Sequence, residues 1–299
     1  MTKMRLSSPH RAVWRSVALL AMAASGCGKV SGPNAISMLA DATVEDAADG
    51  ESQGSDAAVD GPPSDASPPG TKDNPARTCA ELRVAGAPSG VYWLSDPVTP
   101  GAAFEAYCEQ QLNGGGWVML ENSVRRADGT TTAFWQFKYA DRLKQMGTLA
   151  VDQNYYNGAL YLSGKEYMDV FVDLQGKTAV AAVMTATGFN PTTMQFTNPL
   201  LTVGNTDVFG SQFAGGWSSQ DRDLDPAAND NCATLYSNVA QHYGSCWAYS
   251  LGSDADEPKL DGGVGPHVHN PVLTDLGLAL QGTTGVYSQV KRIARFTRW

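Results

Sequence analysis

Three aspartates stand at alternate positions in Asp221-Arg-Asp223-Leu-Asp225. Carboxylates this close repel one another unless a cation sits among them, and calcium takes about six to eight oxygens from carboxylates, carbonyls and water in flexible geometry. The following stretch ends in Asn229-Asp-Asn-Cys232, which can add carbonyl oxygens. It is not an EF-hand, because no Gly lies at the sixth loop position and no Glu at the twelfth. A second group is His267-Val-His269, read as a loop after Asp254, Asp256 and Glu257. Alternate imidazoles could share a metal or touch a sugar, and two histidines alone suit a structural place equally well. A third group is aromatic: Tyr236, Tyr243, Trp247 and Tyr249 crowd around Cys232 and Cys246. Such rings pack on sugar C–H faces and donate hydroxyl hydrogen bonds, and they are also good core residues. Residues 78–299 have no G-x-S-x-G, no H-E-x-x-H and no phosphate-binding Gly loop with a Lys. The reading is therefore a binding protein and not an enzyme. A polysaccharide hydrolase is the remote alternative, since carboxylate spacing in sequence does not report spacing in space.

The elements that must position these groups begin with the cysteines. Of five, Cys27 stands apart at the N-terminal end. Lys3, Arg5, Arg11 and Arg15 precede a short apolar run from Val17 to Ala24, the pattern of an export signal and too short to span a bilayer. Ala24-Ser25-Gly26-Cys27 resembles a bacterial lipobox. Residues 1–26 are read as a signal peptide and Cys27 as the lipidated residue, with Gly28 favouring outer-membrane sorting. The expected location is extracytoplasmic, and the membrane is touched only through the lipid. In an exported chain Cys79, Cys108, Cys232 and Cys246 read as two disulfides, with three connectivities open. A net charge of −9, a pI near 4.9 and the lack of a Lys/Arg cluster in the body of the chain argue against a nucleic-acid partner.

Residues 27–77 read as an acidic Ala/Asp/Ser/Pro linker, with no aromatic between Gly28 and Thr78. Such a stretch buries too little apolar surface to offset its ordering entropy. Residues 78–299 read as one domain. A helical turn is expected at Cys79–Arg83, and strands at Gly90–Leu94, Ala103–Cys108 and Trp117–Leu120. Gly114-Gly115-Gly116 reads as a tight bend. A helix is expected over Tyr139–Met146 and a hairpin from Tyr167–Asp173 and Ala179–Thr185. A loop-rich stretch from Thr206 to Gly285 and a closing strand from Gln289 to Trp299 complete the reading.

Cys79-Ala-Glu-Leu82, Ser89-Gly-Val-Tyr92, Phe104-Glu-Ala-Tyr-Cys-Glu109 and Gly114-Gly-Gly-Trp117 resemble the start of the fibrinogen C-terminal domain. Tyr107-Cys108-Glu109 followed by the Gly-Gly-Gly-Trp run is similar to the bacterial variant with its YCD-then-GGGW signature. Ser218–Asp225 and Asn231-Cys-Ala233 resemble the family's calcium loop, and Tyr287-Ser288 with Lys291 and Arg298 its closing strand. The segment 120–210 is only loosely similar. The resemblance implies an α+β fold: a mixed β-sheet with short helices, a long loop-rich calcium and ligand region, and two disulfides. It implies the pairings Cys79–Cys108 and Cys232–Cys246. It also implies calcium at Asp223 and Asp225, with Asp221 the acidic residue before them.

The resemblance further implies a calcium-dependent, lectin-like surface module. Its pocket would lie around the Ser245–Cys246 peptide bond, lined by Tyr236, Tyr243 and Trp247, with the Cys246 N–H as a donor to a glycan or acetylated ligand. One departure stands out: no Trp or Tyr occurs from Gly252 to Gly285, where the family brings further aromatics. Two alternatives stay open, namely a ligand or metal at His267 and His269, and a structural or adhesive domain without a small-ligand pocket.

Overall fold

The computed structural model describes residues 67–253, 260–261, 264–281 and 285–299. The signal peptide, Cys27, most of the linker, and Asp254, Asp256 and Glu257 lie outside the described residues. Among the described residues no helix is long and apolar enough to cross a membrane.

The chain opens with α1 (Cys79–Val84), β1 (Gly90–Ser95), β2 (Ala103–Glu109) and β3 (Trp117–Val124). Next come α2 (Thr130–Trp135), β4 (Gln145–Gly147), β5 (Tyr155–Asn157), β6 (Glu166–Val172), β7 (Thr178–Thr185), β8 (Gly188–Asn190), β9 (Gln195–Thr197) and β10 (Leu200–Gly204). The site region holds α3 (Thr206–Gln212), β11 (Gly216–Ser218), α4 (Cys232–Leu235), β12 (Gln241–Tyr243), β13 (Tyr249–Ser253), β14 (Leu260–Asp261), β15 (Gly265–His269) and α5 (Asn270–Asp275). The chain closes with β16 (Tyr287–Gln289) and β17 (Arg292–Arg298).

The main sheet has the order β1-β2-β3-β17-β6-β7-β10, with β5 and β4 added beside β3. The closing strand is thus central, antiparallel to β3 on one side and β6 on the other. A central strand is covered on both faces, which explains the imperfect alternation of β17 in sequence: Arg292 and Arg298 are half-buried and everything between them is buried. Ala294 and Phe296 pack with Trp117, Met119, Met168 and Val170 on one face, and Ile293 joins the large core on the other. The expected single strand from Gln289 is two. β16 joins the four-stranded sheet β13-β15-β16-β14, and the chain crosses to β17 through Val290 and Lys291.

Cys79 pairs with Cys108 and Cys232 with Cys246, at Cα–Cα distances of 5.4 and 5.5 Å. Thr78 caps α1, its hydroxyl accepting from Glu81 N at 3.1 Å. The glycine bend is required by geometry: Gly115 has φ +67°, and a Cβ there would lie 2.3 Å from the Gln110 carbonyl oxygen. The hairpin β6–β7 is present.

Three expectations change. The folded unit starts before Thr78: Ala76 is buried and bridges Leu94, and Trp93 N donates to Gly70 O at 2.9 Å. Tyr139–Met146 is not a helix but a 3₁₀ turn over Tyr139–Asp141 running into β4, because no side chain caps its start and Tyr139 N is drawn to Asp221 Oδ1 at 2.9 Å. His267-Val-His269 is not a loop but strand β15, between β13 and β16; its burial on both faces left no alternation to read.

A charged group lies inside the core. Arg295 is 1% exposed and sits in register opposite Glu121 on β3 and Asp169 on β6. Its guanidinium donates to both Asp169 oxygens, to the Tyr161 and Tyr249 hydroxyls, and to His242 Nδ1, so all five N–H groups are used. Glu121 accepts from Tyr161 OH at 2.6 Å. Burial pushes the Glu121 carboxyl above its ordinary range, against the pull of Arg295. Because Arg295 donates to Nδ1, the proton of His242 is on Nε2, which donates to Met194 O at 2.7 Å. Burial, then the Arg295 charge, pushes the His242 pKa down to about 3. His242 lies on β12, so this group anchors the strand that leads into the ligand region.

Candidate functional site: an acidic loop and a cleft beside Cys246

The acidic loop is fastened by its own side chains. Asn231 caps α4 by accepting from Ala233 N at 2.9 Å and Thr234 N at 3.2 Å, while its Nδ2 donates to Ser219 O at 2.9 Å. Asp225 Oδ2 accepts from Cys232 N at 3.0 Å and from Ser218 Oγ at 2.8 Å. Asp223 Oδ1 lies 3.3 Å from the same Ser218 hydroxyl. Asp223 and Asp225 therefore converge, and Asp225 ties the loop to the disulfide. Asp221 has a different place: its Oδ1 accepts from Tyr139 N at 2.9 Å and Ser219 Oγ at 2.7 Å. The Tyr139 N–H, with the Ser219 hydroxyl, holds its carboxyl below the ordinary range.

Two converging carboxylates are hard oxygen donors, the chemistry calcium prefers. Among the described residues no three His, Cys, Asp or Glu side chains gather as a metal cage. Asp223 and Asp225 present two carboxylates to one hydroxyl, while Asp221 braces the loop against Tyr139.

A cleft of about 270 Å³ opens beside the disulfide. Its walls are Gly244–Ser245 and Trp247–Ala248, the α3 segment with Thr206, Asp207, Gly210 and Ser211, and His269 at the end of β15. The Ser245–Cys246 peptide bond is cis. Cys246 packs partly buried against the cluster of Cys232, Ala233, Tyr243 and Trp247. Trp247 is 7% exposed, and its indole N–H is buried with no acceptor among the described residues. Tyr236 meets Trp247 edge-on at 5.3 Å between ring centroids.

Trp247 and His269, which stood for rival sites in the sequence, thus line one cleft. Tyr287 joins them, with its ring centroid 4.1 Å from Trp247 and 5.2 Å from His269. It is not itself a lining residue; β15–β16 pairing, which sets His269 opposite Tyr287, places its ring against both. No local sequence signal marks the α3 wall or sets Tyr287 apart from the closing strand. Tyr243 is a core residue and not a wall of the cleft: it is fully buried, and its hydroxyl donates to Val239 O at 2.6 Å. His267 is also fully buried, with Nδ1 2.9 Å from Gly265 O.

No family model and no curated protein matches the chain. Solved structures do. The chain is similar to the fibrinogen-like globe domain of human ANGPTL6, with a TM-score of 0.53 and 25% identity over 75% of this chain and 96% of that one. It is similar also to the fibrinogen-like globe domain of human ANGPTL2, with a TM-score of 0.52 and 19% identity over 75% of this chain and 99% of that one. The fold is fibrinogen-like: mostly sheet, with a few short helices and two disulfides.

Proposed function

We propose that this chain is a non-enzymatic recognition module that binds a glycan or acetylated ligand in the cleft beside Cys246, with calcium at Asp223 and Asp225 stiffening the neighbouring loop. The observation that carries this reading is the cleft itself. It joins Gly244–Ser245, the Trp247 ring and His269 in one concave wall. The bond from Asp225 Oδ2 to Cys232 N couples the acidic loop to the disulfide, so a bound cation would lower the ordering cost of binding without touching the ligand.

By the lipobox the module is exported and held at the outer membrane through an acylated Cys27, with the linker as spacer. The membrane is engaged through that anchor alone. The test is a glycan array with the wild type and two variants. Trp247→Ala is expected to abolish binding to the wild-type hits, whereas Tyr236→Phe keeps it. Hits retained in full by Trp247→Ala would overturn the cleft as the binding site.

A further inference from the structure

Strand β3 has one edge filled by β17 and the other shared by two strands. β2 pairs with it at Trp117 and Val118, and β5 at Glu121 and Asn122. Between these points β2 leaves β3 and, back to Ala103, pairs with β1 alone. A cavity of about 320 Å³ opens in this fork, lined by Phe104 of β2, Gln145 of β4, Asn157 of β5 and residues of the 3₁₀ turn Gly158–Leu162. It shares no lining residue with the cleft beside Cys246.

The fork presents backbone groups that the sheet leaves unpaired. Trp93 N and O bond to Gly70 O and Ala76 N, away from β2, so Glu105 opposite it turns its own N–H and C=O away from β1. On β4, Lys144 O accepts from Gly158 N at 3.3 Å and Thr148 N donates to Asn154 O at 3.1 Å. Gln145 and Gly147 alternate with these bonds and turn their N–H and C=O away from β5. Glu105, Gln145 and Gly147 are exposed, and among the described residues no hydrogen bond outside the ladders engages their backbone. The cavity adds an apolar wall of Val98, Phe104, Leu143, Leu160 and Leu162. Val98 is 56% and Leu162 41% exposed, so two large apolar side chains are left in water here. Asp96 is the charged residue among the lining ones. Its Oδ1 accepts from Val98 N at 2.8 Å and Thr99 N at 3.2 Å, and its Oδ2 has no partner among the described residues.

We infer that the fork docks an extended segment of a partner protein. The segment pairs its main chain with β4 at Gln145 and Gly147, sets a large apolar side chain in the cavity and brings a Lys or Arg to Asp96. Unpaired donors and acceptors that recur at every second residue match another strand, and the cavity beside them gives that strand a side-chain pocket. A glycan or a free apolar molecule lacks the matching row of amides. The inference does not rest on the cleft.

The test pans the full chain against displayed nonapeptides in which Thr alternates with a randomised residue. Leu162→Asp and Val98→Asp, both at exposed positions, are the blocking variants, each compared with the wild type at equal melting temperature. Enriched peptides are expected to carry a large apolar residue with Lys or Arg at the next randomised position, and to bind either variant about tenfold more weakly. Methylating the backbone nitrogens along one edge of the best peptide should abolish binding, while methylating the other edge leaves it; this arm needs no protein variant. Asp96→Asn should weaken binding about threefold and remove its salt dependence. No enrichment on the wild type, or equal binding by both blocking variants, overturns the inference. So does binding that survives methylation of every backbone nitrogen, which would leave only an apolar side-chain contact. Wild-type salt dependence in Asp96→Asn overturns the basic anchor. Trp247→Ala should keep peptide binding; its loss there would move the peptide to the cleft and overturn docking at the fork.

Discussion

Arg295 on β17 lies in register with Asp169 on β6, and the two meet through parallel hydrogen bonds, Nε to Oδ1 at 2.7 Å and Nη2 to Oδ2 at 2.8 Å. Both side chains are buried, and the pair is the centre of a group that reaches Glu121, Tyr161, Tyr249 and His242. Desolvation of the two charges offsets much of their attraction, so a buried pair of this kind adds little net stability yet is costly to break.

Removing one partner is therefore expected to be worse than removing both. Arg295→Met alone leaves an uncompensated buried carboxylate and should cost about 3–5 kcal/mol. Arg295→Met/Asp169→Leu should cost less than the sum of the two single changes. Urea unfolding followed by tryptophan fluorescence measures all three, and additive losses would show that the pair acts as two independent residues.

His242 predicts a pH dependence with a definite sign. Its imidazole stays neutral in the folded chain down to about pH 3 but protonates near pH 6.5 when unfolded. Between these values the unfolded state binds the extra proton, so stability falls as pH falls, by about 1.4 kcal/mol per pH unit for this group. Glu121, whose folded pKa is raised, works in the opposite direction above its unfolded value. The contribution of His242 is isolated as the difference between wild type and His242→Gln, which can still accept from Arg295 and donate to Met194 O. That difference should be flat above pH 7 and slope below pH 6; a flat difference throughout would refute the assignment.

Calcium is expected to raise the melting temperature of the wild type, because an ion bound only to the folded state stabilises it by mass action. Asp223→Asn/Asp225→Asn should abolish the shift. Asp221→Asn should lower the melting temperature through loss of the charge-assisted bond from Tyr139 N, yet keep the calcium response. A wild-type-sized shift in the double variant would move the ion elsewhere.

Cys27 is expected to carry the anchor. Metabolic labelling with a palmitate analogue should mark the wild type and not Cys27→Ser, and the variant should leave the membrane fraction. Equal labelling of both proteins would end the proposal.

What the sequence by itself determined is what short stretches of chain dictate. Gly114-Gly115-Gly116 reads as a bend because the backbone there takes positive φ at all three glycines. β1, β2 and the start of β3 follow from compact apolar runs between turn residues, and the Asp223–Asp225 loop from alternate carboxylates. The cysteines were countable, but their pairing came from resemblance and not from spacing. Tertiary structure decided the rest, because the partners are far apart along the chain. Arg295 finds Asp169 across 126 residues and Tyr161 across 134. The strand that carries it enters the centre of the sheet last, so no local pattern announces its neighbours. The same holds for the cleft. Trp247 and His269 are brought together by β13–β15 pairing, and Tyr287 arrives because β16 pairs with β15. Residue types could name the candidates; only the register of the strands could decide that Tyr243 and His267 face the core while Trp247 and His269 share a wall.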